Sequence, residues 1–208
     1  MLNPMSETRA ERGVLPDSLI RTASVADAVR CSEVLTRAFE NDPPSRWVWP
    51  DQRQYREAFP CFAKAFGGGA IGLGTAHYYD GFGGVAFWLP PGAALDEESL
   101  TRVIEETVDA KTRDAAFSLF EQMGAFHPGE PHWHLPLIGV DPASQGRGIG
   151  SALLRPVLRQ CDRQQAPAYL EATSPRNIAL YERHGFEALG NVQAADSPPI
   201  VPMLRRPR

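Results

Sequence analysis

The 208-residue sequence contains three cysteines, Cys31, Cys61 and Cys161, far apart and odd in number. That argues against a disulfide framework or a cysteine-based metal centre. It fits reduced thiols in a cytoplasmic protein, each read as a small buried apolar side chain. His127, His132 and His134 are close in sequence but lack cysteine or acidic companions at ligand spacing, so no metal is expected. No apolar run approaches the ~20 residues of a membrane-spanning helix. The first dozen residues lack an apolar core, so no secretory signal is expected. Residues 1–17 read as a polar, disordered lead-in to one domain over 18–208. Basic residues are not in excess: 21 Lys and Arg against 25 Asp and Glu leave a formal net charge of −4. This balance argues against nucleic-acid or anionic-membrane partners and suits a cationic small substrate.

What the chain does have is a concentration of glycine at one place. Residues Gln145 to Gly150 read Gln-Gly-Arg-Gly-Ile-Gly, after an apolar stretch from Leu135 to Val140 and before a helical pattern from Ser151. Three glycines bare the backbone N–H groups of a strand-to-helix turn. Those groups, with the positive helix end behind them, suit an anion such as a pyrophosphate. The spacing is not that of a P-loop, which needs Lys-Ser/Thr after its last glycine. Nor is it the Rossmann fingerprint, which needs two residues between its second and third glycines. On the loop alone, plain turn chemistry remains the alternative.

Periodicity and turn residues set the surrounding elements. Strands are expected over Ile20–Ala23, Thr75–Tyr79, Gly84–Leu89, His132–Val140, Ala168–Thr173, Phe186–Leu189 and Ile200–Leu204. Helices are expected over Val25–Phe39, Gln52–Phe66, Asp96–Asp109, Thr112–Gly124, Ser151–Arg163 and from Ser174 to His184. Gly67-Gly-Gly reads as a flexible break, Pro60 and Pro156 as bends, and Arg205–Arg208 as a polar tail. Pro136 sits inside a strand without a ladder donor. It predicts a bulge, or a point where the strand parts from its neighbour. Gly185 fits a left-handed helix stop. The order predicts a mixed α/β (α+β) sheet with helices on both faces.

The strand, Val140-Asp-Pro, the glycine loop, a helix, a second strand and Asn177-x-x-x-Tyr181-x-x-x-Gly185-Phe186 together resemble the GNAT superfamily of acyl-CoA N-acyltransferases. Within it they look most like the puromycin N-acetyltransferase-like branch. The resemblance implies a mostly antiparallel central sheet with a splayed pair of parallel strands at the acyl-CoA site. It implies acetyl-CoA as cosubstrate and no metal. Ile138, Gly139 and Val140 would offer backbone groups to the pantetheine amides. Gln145, Gly146, Arg147, Gly148, Ile149, Gly150 and Ser151 would surround the pyrophosphate, with Arg147 either near phosphate or solvated. Asn177 and Tyr181 share a helix face and would lie against the pantetheine and thioester. Tyr181 stands at the family's position for protonating the departing CoA thiolate after direct attack by the amine.

The attacking amine must be neutral, so a base is useful. Glu171, a carboxylate in an otherwise apolar strand, is the first candidate. The alternatives for it are a rim position or a pairing with Arg176. His132 and His134 share a strand face, and His134 is a second candidate. Trp47, Trp49, Phe59 and Phe62 could wall the acceptor, as could loop Asn191–Pro199, and Asp42 and Asp51 could attract a cation. Core packing and solvated turns are the competing explanations. The expected reaction is acetyl transfer to the primary amine of a small molecule, such as an aminonucleoside-like or other toxic or antibiotic amine. The expected protein is a monomer or homodimer with no nucleic-acid or membrane partner. A protein or peptide acetyltransferase and a non-catalytic acyl-CoA sensor are the other readings.

Overall fold

The computed structural model describes residues 15–208. Its strands are β1 (Ile20–Thr22), β2 (Ala76–Tyr79), β3 (Gly84–Leu89), β4 (Trp133–Val140), β5 (Ala168–Ala172), β6 (Glu187–Ala188) and β7 (Val201–Arg205). Its helices are α1 (Ala28–Ala38), α2 (Pro43–Val48), α3 (Gln52–Gly67), α4 (Gly69–Gly72), α5 (Glu97–Thr107), α6 (Ala110–Ala125), α7 (Ile149–Gln164) and α8 (Pro175–Arg183). One sheet runs β1-β2-β3-β4-β5-β7-β6. Only β4 and β5 are parallel neighbours; every other pair is antiparallel. This is the expected mixed sheet.

Central strand β3 is buried along its whole length, so its side chains alternate between two cores. Val85, Phe87 and Leu89 join the core of α1, α3, α5 and α6, whereas Ala86 and Trp88 join that of α7. Gly139 brings α1 against β4. A Cβ there would lie 2.7 Å from the Cβ of Ala38.

Pro136 marks both features its chemistry predicts. Phe87 pairs with Leu137 and Leu89 with His134, so three steps along β4 face two along β3. That extra residue is a bulge, at the one β4 position without an N–H to donate. The β4–β5 pairing, Trp133–Ala168 to Leu135–Leu170, stops at the same level. Past it the two parallel strands separate.

Several local expectations need correction. Residues 1–14 of the expected lead-in lie outside the described residues. At its end, Asp17 is not loose: it belongs to a short 3₁₀ turn and pairs with Arg155 and Arg159 of α7. Val25 and Val29, within the range expected for the first helix, are 79% and 70% exposed; Cys31, Val34 and Leu35 form the buried face of α1. Gly67-Gly-Gly is a joint between helices α3 and α4. Cys61 is exposed. Arg205 is no tail residue. It is buried at the end of β7 and bonds both carboxylate oxygens of Asp162, at 2.8 and 2.9 Å.

Candidate active site

Where β4 and β5 part, a cavity of about 260 Å³ opens. Ile138, Gly139 and Val140 of β4 form one wall. Gln145, Gly146, Gly148, Ile149, Gly150 and Ser151 form the end, and Asn177, Leu180 and Tyr181 of α8 the other side. The loop's shape depends on its glycines. Gly146 and Gly148 have φ of +76° and +84°, a region costly for any residue with a Cβ. Gly148 is the N-cap residue of α7, so the first N–H groups of that helix face the cavity end. Gln145 is fixed from both sides: its amide donates to the Val140 carbonyl (3.3 Å) and its oxygen accepts from Arg176 (2.9 Å). Ser151 bonds His184 Nε2 at 2.9 Å. Arg147 is exposed and is not on the cavity wall.

Tyr181 is 4% exposed and lines this cavity as the sequence pattern predicts. Burial raises its hydroxyl pKa, and the Asp42 carboxylate raises it further. The group is therefore a neutral O–H at pH 7.

Asp42 is the junction. It lines the first cavity and also a second, apolar one of about 80 Å³. It is not a solvated turn residue. Its side chain caps α2, accepting from Ser45 N (3.2 Å) and Ser45 Oγ (3.0 Å), and it also accepts a short hydrogen bond from Thr173 Oγ1. Burial raises its pKa, against the pull of those donors. Pro43 and Pro44 follow the end of α1 and begin α2, where a missing N–H costs nothing.

Trp49, Phe62, Phe66, Phe120 and Met123 wall the second cavity, and Glu171 and Thr173 reach it from β5 and its end. Two expected wall residues lie elsewhere. Trp47 turns outward to Asp196 of the 191–199 loop (Nε1 to Oδ1, 3.0 Å), and Phe59 is fully buried among Phe39, Tyr55 and Phe62. Asp51 is the N-cap of α3, bonding Gln54 N at 2.8 Å. Of the 191–199 region, only the following residue, Ile200, reaches the wall.

A third, open cavity of about 740 Å³ shares Glu171, Phe66, Ile104, Phe120 and Met123 with the second. At their common wall the sequence's separate acid and histidines meet. His134 Nε2 lies 3.0 Å from Glu171 Oε2, and His127 Nε2 lies 3.3 Å from Oε1. The Glu171 side chain is 5% exposed. Burial alone would raise its pKa, but His134 and His127 hold it well below the usual carboxylate range. Glu171 is therefore neither on the rim nor paired with Arg176. His132 Nδ1 lies 2.9 Å from the Glu130 carbonyl, and its Nε2 lies 3.2 Å from His127 Nδ1. The acidic companion missing at ligand spacing is supplied by Glu171, which folding brings beside His127 and His134.

Comparison with known proteins agrees with the fold. The family model described as "Acetyltransferase (GNAT) family" matches residues 28–186. The uncharacterized N-acetyltransferase C550.08 of Schizosaccharomyces pombe is 23% identical, covering 87% of this chain and 80% of its own. A solved structure described as histone acetyltransferase HPA2 and related acetyltransferase, from Corynebacterium glutamicum, is similar at TM-score 0.65 and 29% identity. It covers 91% of this chain and 96% of its own. Arylalkylamine N-acetyltransferase 2 from Aedes aegypti shares the fold at TM-score 0.62 and 13% identity, over 91% and 98% of the two chains.

Proposed function

The chain belongs to the acetyltransferase (GNAT) family, and from that premise we propose that it transfers acetyl from acetyl-CoA to the primary amine of a small molecule. The supporting observation is the continuity of the cavities. The opening between β4 and β5, with its glycine loop, meets the apolar cavity at Phe39 and Asp42, and that cavity meets Glu171 at its far side. A cosubstrate and an acceptor can thus approach one point from opposite ends.

The pyrophosphate would take the N–H groups of the glycine loop and the α7 N-terminus. The pantetheine would lie along Ile138 to Val140, beside Asn177. The acceptor's ammonium would lose a proton toward the Glu171–His134 pair, directly or through a water. The free amine would then attack the thioester carbonyl. As the tetrahedral intermediate collapses, the C–S bond breaks and Tyr181 O–H protonates the leaving sulfur. The nitrogen of the intermediate gives up its second proton as the amide forms, which restores the tyrosine hydroxyl, and the proton left with the pair goes to solvent. The products are the amide, CoA thiol and one proton.

An apolar, aromatic-walled cavity ending in a carboxylate suits a cationic amine with an apolar body. This fits the puromycin N-acetyltransferase-like branch, with a cytoplasmic monomer or homodimer needing no nucleic acid or membrane. A protein acceptor is the second reading, favoured by the acidic balance and by the description of the Corynebacterium neighbour.

Release of free CoA thiol from acetyl-CoA, measured against aromatic amines, aliphatic diamines and basic peptides, tests the assignment. Turnover with small aromatic or amphipathic amines is expected. Turnover confined to peptides would shift the acceptor to protein. CoA binding with no turnover on any amine would leave an acyl-CoA sensor.

A further inference from the structure

We propose that His127, His134 and Glu171 form a binding site for a zinc-class divalent cation on the wall of the open cavity. The Glu130 carbonyl can only accept, so His132 Nδ1 carries a proton. In the tautomer protonated at Nδ1, its other nitrogen, Nε2, carries a lone pair. His127 Nδ1, 3.2 Å away, must then donate to it. A neutral His127 consequently turns the lone pair of Nε2 toward Glu171.

Glu171 Oε1 is the atom it meets, 3.3 Å away, and that oxygen is buried without a hydrogen-bond partner among the described residues. Two lone pairs facing each other inside a protein repel. A cation between them removes the repulsion, and the choice is a proton on His127 or a metal ion.

The donor set suits the metal. Two imidazoles and a carboxylate, with a further position open to water or ligand, is a frequent zinc arrangement. With bonds near 2.0–2.1 Å, ligand atoms at a tetrahedral zinc lie roughly 3.3 Å apart. Here His134 Nε2 lies 3.0 Å from Glu171 Oε2 and His127 Nε2 3.3 Å from Oε1, the two oxygens of one carboxylate, and one ligand atom from each residue lies within 4.8 Å of the other two. Second-sphere support is also in place: His127 is oriented by His132, and His132 by the Glu130 carbonyl. Tyr169 packs on the His127 ring (centroids 4.3 Å) and Phe66 edge-on to His134 (6.2 Å), so the rings have little freedom. His134 Nε2, which donates to Glu171 Oε2 in the absence of metal, would release that proton on binding.

The site does not require acetyl transfer. Its effect on turnover does rest on the reading above, because the same atoms would receive the amine's proton. Bound metal should therefore slow the reaction.

The test uses the full chain without an affinity tag, carrying Cys61→Ser to remove the exposed thiol, stripped with chelator and titrated with Zn²⁺ and Co²⁺. One equivalent should bind, with the visible absorption of a low-coordinate cobalt site. His127→Ala and Glu171→Gln should each weaken binding by more than ~100-fold. His132→Ala, outside the ligand set, should weaken it by ~10–100-fold. Absence of a stoichiometric cobalt band would overturn the site. So would equal affinity in the parent and all three folded variants, which would mean adventitious surface binding only. If zinc binds as expected but leaves acetyl transfer unchanged, the metal site stands and the Glu171–His134 pair loses its proposed role as proton acceptor.

Discussion

Replacing Tyr181 by Phe isolates the proposed chemical step. The ring packs edge-on to Phe186, with centroids 6.0 Å apart, and is 4% exposed. Phenylalanine keeps that packing, so the folded state should change by no more than ~1 kcal/mol, the scale of one net hydrogen bond. CoA affinity should also hold, because its proposed phosphate contacts lie at the glycine loop. The loss should instead appear in the transition state. A positioned general acid is typically worth ~10²–10⁴-fold, equivalent to about 3–5 kcal/mol of activation free energy. The environment places Tyr181 toward the larger end of that range. The buried Asp42 carboxylate that raises its pKa would also disfavour a naked thiolate at the same place. The assay is steady-state thiol release at saturating amine, with CoA affinity and thermal midpoint measured on the same preparations. A large fall in kcat at unchanged CoA affinity is expected, the signature of an interaction made only in the transition state. A variant within about twofold of the parent kcat, with chemistry shown to be rate-limiting, would make Tyr181 a wall of the pantetheine cavity and nothing more.

Gly148→Val puts a β-branched side chain at φ +84°, beside the proposed phosphate position; CoA affinity should fall by at least ~10-fold in a direct binding titration. An unchanged affinity in a folded variant would remove the pyrophosphate from this loop. Phe62→Leu or Trp49→Phe should change the ranking of amines by kcat/KM while CoA affinity holds, whereas Trp47→Ala should not change the ranking, because Trp47 faces Asp196. Asp162→Asn should destabilise the fold by ~3 kcal/mol at pH 7, since it leaves the buried Arg205 guanidinium without its carboxylate. Arg205 lowers the Asp162 pKa in the folded state, so this contribution is present above the unfolded carboxylate value of ~3.9 and is lost as pH falls through the folded one. Thermal midpoints of variant and parent should converge below about pH 4; a gap constant down to pH 2 would refute the ion-pair account.

The cofactor side was legible in the sequence because its parts are backbone parts. Gly146 and Gly148 announce positive φ, Pro136 announces a strand that cannot pair, and Asn177 and Tyr181 announce one helix face by spacing alone. These signals are local, and each has a physical reason to use one residue type. The acceptor side depends on which side chain meets which across the fold, and periodicity carries little of that. Trp47 and Trp49 look equivalent in sequence, yet one faces a surface aspartate and the other a cavity. Asp42 looked like a solvated turn because Pro43 and Pro44 follow it. It accepts a hydrogen bond from Thr173, 131 residues away. The histidine cluster shows the same limit: ligand spacing along the chain registers His127, His132 and His134 but not a carboxylate contributed by another strand. One local signal was available and unused. Thr173 stands two residues after Glu171, so a strand continuing between them would turn both to the side on which His134 stands.

The pKa values of the two carboxylates of this path are shifted in opposite directions, and that difference gives the proposed reaction its direction. Burial raises the pKa of Asp42, and its donors are hydroxyls and one backbone N–H, none of them charged. Glu171 is lowered, because two imidazoles surround it. Pairs of titratable groups driven apart in this way are where acid and base roles divide. A cationic amine entering from the open cavity meets the firmly ionised Glu171 first and is drawn to it. Beyond that point the walls are aromatic and aliphatic, so an ammonium advancing toward Asp42 loses solvation while a neutral amine does not. Deprotonation is therefore favoured at Glu171 and His134, before the nitrogen reaches the thioester. At the thioester end, the Asp42 charge opposes any anion that lacks a proton. The arrangement thus favours both ends of one transfer: a neutral nucleophile arriving and a neutral thiol leaving. Removing the Asp42 charge while keeping its cap, as in Asp42→Asn, should accordingly make the Tyr181→Phe loss smaller than it is in the parent. A double-mutant cycle on kcat measures that coupling. Strict additivity of the two losses would mean that Asp42 does not act on the leaving group and serves only as the cap of α2.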